Sequence, residues 1–261
     1  MKIAFYGSSL LSSYWNGAAT YYRGILGELA RRGYQITFYE PDAFDRQQHR
    51  DIDPPDWCRS VVYPATEDAM RGVLAEAADA DIVVKANGVG VFDRELLDGV
   101  VAGAKPGALK IFWDVDAAAT LDEMRAAPDH PVRRALPGLD MVLTYGGGPP
   151  VVDAYRGFGA KLCEPVYNAL DPATHYPAPA DPKFASDLAF LGNRLPDREA
   201  RVEEFFLKPA AMLADRSFLI GGNGWDSKPM PGNVRHLGHV YTAEHNAFNC
   251  TPLAVLNVAR D

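Results

Sequence analysis

The sequence predicts an α/β protein with two Rossmann-like, doubly wound domains, of which the second is incomplete. Short apolar strands alternate with segments of helical periodicity from residue 2 to residue 166, and the alternation restarts at Asp187. Glycine and polar residues follow the strands directly, which is typical of parallel sheets that bind ligands beyond the carboxyl ends of their strands.

The first alternation predicts seven strands separated by helices. In the first helix Tyr22, Leu26 and Leu29 recur at helical spacing, and Gly33 follows two arginines that suit the negative end of a helix. The expected strands span residues 2–6, 35–39, 61–63, 81–85, 109–113, 141–144 and 161–166.

A proline-rich stretch separates the two predicted domains. Residues 171–182 hold four prolines and no apolar period, so residues 171–186 are predicted to form a stiff linker between domains at 1–170 and 187–261. The second domain has predicted strands at 188–191, 218–220 and 234–240 and a short helix at 244–248. Domains of this kind usually need about 100–150 residues. We therefore expect residues 187–261 to be the first part of a larger domain, and the sequence to be a fragment.

Composition and charge narrow the functional classes. A formal net charge of -8 argues against general affinity for nucleic acid or acidic membrane surfaces, since both need a basic face. The first apolar run is short, so we expect no signal peptide, no membrane-spanning segment and a cytoplasmic location. Cys58, Cys163 and Cys250 are odd in number and scattered, which favours reduced thiols.

The stretch from Asp187 to Arg201 predicts a phosphate-binding turn. A buried strand ends at Gly192, and two arginines, Arg194 and Arg198, lie before the next helical period begins at Val202. Glycine lets the backbone approach a ligand closely, helix starts offer unpaired N–H groups, and arginine adds charge-assisted hydrogen bonds. A plain strand-to-helix turn with solvated arginines is the alternative.

Several segments together resemble one enzyme family. The segments FLGNRLPDREARVEEFF, FLIGGNGW and NVRHLGHV resemble the nucleotide-sugar domain of GT-B glycosyltransferases, which bind their donor between two Rossmann-like domains. From about Ile111 onward, IFWDVDAAATL, LTYGGGPPVVDAYRGFGAKLCEPVYNALDPATHYP and EHNAFNCTPLAVLNVARD also look like the spore-maturation CgeB-like family. The resemblance implies a glycosyltransferase of GT-B architecture that uses a nucleotide-sugar donor and no further cofactor.

The resemblance also assigns donor-binding residues. Gly192, Asn193 and Arg194 match the turn that faces the donor diphosphate, and Arg198 or Arg201 stands near its basic partner, which in the family is usually lysine. The glycine-rich segment on the base-binding side is matched by Gly221, Gly222 and Trp225. The family's later segment, which carries a glutamate for the donor ribose or sugar, has no counterpart before residue 261.

Asp114 and Asp116 are the predicted catalytic residues. An aspartate pair of this spacing holds a metal in GT-A glycosyltransferases, but GT-B sites commonly use arginines and helix ends instead, so we expect no metal. One aspartate would be the general base that takes the proton of the acceptor hydroxyl. Capping of the helix near Leu121 is the alternative, worth about 1 kcal/mol.

The loop after the first strand is the predicted acceptor side. Gly7, Ser8, Ser9 and Asn16 offer polar groups at a strand end, although turns of this composition are common. The acceptor itself, a hydroxyl or an amine, is not specified by the sequence.

Two other functions are considered. The segment from Gly88 to Asp93 resembles a dinucleotide fingerprint, but Asp93 stands where the third glycine belongs and would repel a pyrophosphate. An NAD-linked oxidoreductase is therefore the weaker alternative, beside a non-catalytic binding protein of GT-B shape. His236, His239, His245 and Cys250 match no compact zinc spacing, so no metal site is predicted there.

Overall fold

The first part of the chain forms a seven-stranded parallel sheet with helices on both faces. The computed structural model describes residues 1–14 and 16–258, and Met1–Ala169 form one compact unit. Its strands are β1 (Lys2–Tyr6), β2 (Gln35–Asp42), β3 (Cys58–Pro64), β4 (Ile82–Ala86), β5 (Leu109–Asp114), β6 (Met141–Thr144) and β7 (Cys163–Pro165). The order is β3-β2-β1-β4-β5-β6-β7, so the direction of winding reverses between β1 and β4.

The predicted α/β class and all seven strands of this sheet are confirmed, and the ends of several strands are shifted. The largest shifts are at β2, which ends at Asp42 rather than at Tyr39, and at β3, which begins at Cys58 rather than at Val61. Because β3 is an edge strand that pairs with β2 alone, Arg59 and Ser60 extend the ladder without needing an apolar side chain.

Two layers of helices cover this sheet. They are α1 (Ala19–Arg31), α2 (Glu67–Glu76), α3 (Asp93–Gly103), α4 (Ala117–Ala126), α5 (Pro131–Ala135) and α6 (Gly148–Gly157). On the α1 face, Phe5 stacks on Phe38 with ring centroids 5.1 Å apart and packs against Trp113 at 5.9 Å. The core therefore holds the central strands firmly while their carboxyl ends remain available to loops.

The second unit, from Leu170 onward, is a four-stranded parallel sheet. Its strands are β8 (Leu188–Leu191), β9 (Phe218–Gly221), β10 (Val234–His236) and β11 (Ala254–Leu256), and its helices are α7 (Pro196–Val202), α8 (Lys208–Met212) and α9 (Thr242–Cys250). The order β10-β9-β8-β11 repeats the order β3-β2-β1-β4. Each sheet therefore has the same reversal of winding.

The strand predicted at 234–240 is too long. Strand β10 ends at His236, since Gly238 has a φ of +71° that an extended strand does not accommodate. The carbonyl of Gly238 instead accepts a hydrogen bond from the N–H of Gly222 at 2.7 Å.

The proline-rich segment packs onto the second unit. Phe184, 1% exposed, ends a single 3-10 turn, Pro182–Phe184, and packs edge-on against Phe248 with ring centroids 5.4 Å apart. The N–H of Asp181 donates to Thr251 Oγ1 at 2.9 Å. These contacts hold the end of the segment against α9 and the residue that follows it.

Candidate functional site

Each sheet offers one ligand crevice by its topology. In doubly wound sheets ligands bind beyond the carboxyl ends of the strands where the order reverses, which lies between β1 and β4 in the first unit and between β8 and β11 in the second. The loops that follow these strands carry most of the residues singled out by the sequence.

In the second unit, the loops after β8 and β9 are in direct backbone contact. Gly222 has a φ of +124°, and a Cβ atom there would lie 2.2 Å from the carbonyl oxygen of Gly192. The N–H of Arg194 donates to Asn223 O at 2.9 Å, and the N–H of Asn223 donates to Asn193 Oδ1 at 2.9 Å. We call residues 192–195 together with 222–225 the glycine rim.

Arg194 is engaged within the second unit. Its Nε and Nη2 atoms donate to the two carboxylate oxygens of Glu199, each at 2.8 Å, and Nη1 donates to Ser227 Oγ at 3.1 Å. Lys228 Nζ also donates to Glu199, at 2.8 Å, and pairs with Glu203. Hydrogen bonds from Arg194 and Lys228 lower the pKa of Glu199 to about 2. In this structure, therefore, the arginine predicted to face a phosphate binds a carboxylate.

Sequence reasoning missed Glu199 and Lys228. Glu199 lies five residues after Arg194, across the start of α7, and the alternation of charges there is a weak signal of an ion pair. Lys228 carries no such signal, because 29 positions separate it from Glu199.

The prediction that Trp225 is a donor-binding residue is corrected by its burial. The indole is 1% exposed, packs edge-on against Phe190 with ring centroids 6.3 Å apart, and donates its N–H to Gly192 O at 2.8 Å. The core surrounds its ring, so Trp225 anchors the glycine rim through its hydrogen bond to Gly192. Arg198 lies over the rim, since a Cβ on Gly192 would meet Arg198 Nη1 at 2.7 Å.

In the first unit, Asp114 is a fully buried hydrogen-bond acceptor. Its Oδ1 accepts from Asn87 Nδ2 at 2.8 Å, from the N–H of Asp116 at 2.9 Å and from Thr120 Oγ1 at 3.1 Å. Its Oδ2 accepts from the hydroxyl of Tyr155. Burial and the charge of Asp114 both raise the pKa of Tyr155 above its ordinary range. With 0% exposure, Asp114 is placed to orient its neighbours and cannot reach a ligand directly.

Asp116 is the more accessible of the two predicted catalytic residues. It precedes α4 in the N-cap position, yet its side chain makes no capping hydrogen bond to that helix. It borders a cavity of about 350 Å³ that also contacts Asn87, Thr120 and His130. The geometry therefore favours Asp116 over Asp114 for contact with a substrate.

The polar side chains after β1 bind one another. Ser8 Oγ donates to Asn16 Oδ1 at 2.8 Å, and Asn16 Nδ2 donates to Ser9 O at 2.8 Å. Ser9 Oγ donates to Glu40 at 3.0 Å, and Ser8, Ser9 and Asn16 are 4%, 0% and 5% exposed. The expectation that these side chains contact an acceptor is therefore corrected, because their hydrogen bonds shape the loop itself.

Gly7 and the loop after β4 also have structural roles. A Cβ at Gly7 would meet the ring of Phe38 at 2.4 Å, so glycine is required for packing there. After β4, the carboxylate of Asp93 accepts from the N–H groups of Val89 at 3.2 Å and Gly90 at 2.7 Å, and it pairs with Lys85, which is 2% exposed. Burial lowers the pKa of Lys85, while Asp93 opposes that shift. Asp93 thus occupies the amides that a dinucleotide pyrophosphate would need.

This chain is similar to known proteins both in part of its sequence and in its fold. Residues 198–261 match a family described as glycosyl transferase-like. Sucrose-phosphate synthase from Thermosynechococcus elongatus is similar in structure, with a TM-score of 0.62, 13% sequence identity, and coverage of 98% of this chain and 74% of that one. Anabaena HepE in complex with UDP is similar with a TM-score of 0.59 and 14% sequence identity, and the match covers 93% of this chain and 70% of that one. An alpha-glucosyltransferase in complex with UDP and a 13-mer DNA has a TM-score of 0.59 and 14% sequence identity, with coverage of 98% of this chain and 71% of that one. The chain has the GT-B fold.

Among residues 1–14 and 16–258, no three His, Cys, Asp or Glu side chains come together in a way that could hold a metal ion. No helix in the same part of the chain is long and apolar enough to cross a membrane. A search of curated proteins gave no significant match.

Proposed function

We propose that this protein is a glycosyltransferase that transfers a sugar from a nucleotide-sugar donor to an acceptor, without a metal ion, and that it belongs to the CgeB-like group. The observation that carries the proposal is the glycosyl transferase-like match over residues 198–261, within a chain of GT-B fold. That match begins within α7, three residues after the glycine rim ends, and it includes the loop after β9.

The donor diphosphate would bind at the glycine rim. Gly192, Asn193 and Gly222 bring backbone close to the carboxyl end of β8 without bulky side chains, and Arg198 and Gly221 border the same place. Arg194 would exchange Glu199 for phosphate oxygens when the donor binds. Because Lys228 also binds Glu199, that carboxylate keeps a cationic partner after the exchange. The exchange therefore leaves this half-buried carboxylate paired.

Replacing Arg194 tests the donor site. Arg194→Met should weaken UDP binding by about tenfold or more, because charge-assisted hydrogen bonds to phosphate are lost. Isothermal titration calorimetry with UDP measures the change. Arg216→Met is the matched control, since Arg216 pairs with Asp187 at the opposite, amino end of β8. Equal UDP affinities for the two variants would contradict the proposed role of Arg194.

The proposed general base is Asp116. Asp114 would act through it, since Asp114 accepts the N–H of Asp116 and fixes the start of α4. Removing a general base typically lowers turnover by about 10²–10⁴-fold.

Replacing Asp116 tests this role. Asp116→Asn should slow the release of UDP from UDP-sugars by about 10²–10⁴-fold while leaving UDP affinity unchanged. Asp122→Asn is the control, because Asp122 is an exposed residue of α4 that pairs with Arg125. A normal rate for Asp116→Asn, measured by coupled detection of UDP, would refute Asp116 as the base.

A further inference from the structure

A second cavity of about 480 Å³ lies at the carboxyl end of the first sheet, beside the reversal between β1 and β4. The loops after β1, β2 and β4 contribute its lining. Among the described residues, the lining consists of Tyr14, Phe44, Asp45, Arg46 and Gly90. None of these residues lines the cavity that Asp116 borders.

Arg46 is a buried cation that lines this cavity. It is 5% exposed, and Nη1 donates to the carbonyls of Ser8 and Val89, each at 3.0 Å. Within the described part of the chain, its buried Nε has no hydrogen-bond partner. The acidic groups whose charges act on Arg46 are Glu40 and Asp93. Buried charges are normally paired, so this arrangement carries a cost that an anionic ligand would offset.

Glu40 and Asp93, the acidic groups whose charges act on Arg46, form hydrogen bonds or ion pairs with other residues. Glu40, at 0% exposure, accepts from Ser9 Oγ at 3.0 Å and from Gln47 Nε2 at 2.6 Å. Asp93 pairs with Lys85. Both carboxylates attract Arg46 from a longer range but leave its Nε without an acceptor. Asp45 is exposed at the edge of the cavity, where water hydrates its charge.

The backbone around the cavity is strained in a way that exposes an aromatic ring. Phe44, Asp45 and Phe92 have φ values of +57°, +56° and +55°, and they are the non-glycine residues with positive φ in the described chain. Such conformations are unfavourable for residues with side chains and cluster at functional sites. The strain holds the Phe44 ring 53% exposed, over Gly90 and 5.0 Å from Arg46 Cζ. A cation beneath one face of the ring leaves an apolar surface beside the charge.

We propose that this cavity binds the anionic group of the acceptor, a carboxylate or a phosphate monoester, at Arg46, and packs an apolar or ring portion of the same molecule against Phe44. The identity of the ligand as acceptor rests on the proposed function, whereas the anion site does not. The loops concerned follow β1 and β4, where ligands of this fold class bind.

Calorimetry with simple anions tests the site on the full chain. Inorganic phosphate, phenyl phosphate and benzoate are titrated into the wild-type protein, and the two aryl anions distinguish phosphate from carboxylate. We expect saturable binding in which phenyl phosphate or benzoate exceeds inorganic phosphate. Arg46→Met should weaken it about tenfold or more, and Arg46→Lys, which keeps the charge, should weaken it less. Arg50→Met is the matched control, since Arg50 is an exposed residue of the same segment whose Nε donates to Gln47.

Phe44→Ala provides a second test in case Arg46→Met fails to fold. This variant should fold, because the side chain that it removes is exposed. It should weaken phenyl phosphate severalfold and leave inorganic phosphate nearly unchanged. Arg194→Met should retain anion binding here while losing UDP affinity, which separates this inference from the proposed donor site. Absence of saturable binding to the wild type, or equal anion affinities in Arg46→Met and Arg50→Met, would overturn the proposal.

Discussion

At the scale of single residues, Gly222 has the most demanding position in the second unit. Its φ of +124° is a region that side chains rarely adopt, and a Cβ there would overlap the carbonyl of Gly192. The obstacle is backbone, which cannot rotate away as a flexible side chain does. Glycine at 222 is therefore a condition for forming the glycine rim.

Gly222→Ala should destabilise the protein by about 2–4 kcal/mol, because the strain of an unfavourable φ adds to the displacement of the loop after β8. Urea unfolding followed by circular dichroism measures the change. Gly232→Ala is the control, since a Cβ there has nothing within 4 Å and its φ is not in the positive range. Equal unfolding midpoints for the two variants would show that the two loops can separate at no cost.

At the scale of elements, the helix after the glycine rim changes its winding. Helix α7 ends at Val202, a π-helical turn spans Glu203–Leu207, and α8 begins at Lys208. Pro209 has no N–H to donate to the preceding turn, which explains why regular α-helical bonding is interrupted there. Glu199 and Glu203, on either side of the change, both bind Lys228. These ion pairs with Lys228 link the helix to the loop after β9.

The ion pairs of Glu199 should make the stability of the second unit depend on pH in the acidic range. The pKa of Glu199 is lowered from 4.5 to about 2 in the folded state. A lowered pKa contributes stability that is complete above the unfolded value and is lost as the pH falls toward the folded value. The stability advantage of the wild type over Glu199→Gln should therefore shrink as the pH is lowered from about 6 to about 3.

Urea unfolding midpoints at several pH values measure this difference. Lys228→Met, which removes one of the two cations that lower the pKa, should show a partial version of the same convergence. A constant difference between wild type and Glu199→Gln across the range would mean that the carboxylate is not tied in solution.

At the scale of the whole molecule, the sequence predicted the α/β class because strand and helix periods alternate clearly. Strands 2–6, 141–144 and 188–191 agree with β1, β6 and β8 at both ends. Strand order, however, depends on which crossovers form, and no local pattern distinguishes β4 from β3 as the neighbour of β1. The boundary of β10 also depended on a long-range bond between Gly222 and Gly238.

The candidate site was predictable only in part, for a related reason. The resemblance pointed to Gly192 and Gly222, and the structure brings these two glycines into contact. The sequence could not show that Tyr155, 41 positions away, would close off Asp114, or that Trp225 would turn into the core. Burial of a polar side chain follows from packing in three dimensions, which residue type and spacing do not encode. The roles of the predicted donor residues in binding stay predictions.

All seven strands of the larger sheet come from Met1–Ala169, so the ribosome delivers every partner in that sheet before it begins β8. Domains generally fold as units during synthesis, at about 5–20 residues per second. The first unit therefore has several seconds to complete its hydrogen-bond ladders before the second competes for exposed strand edges. Chain order thus limits wrong pairing between two sheets whose strands follow the same pattern.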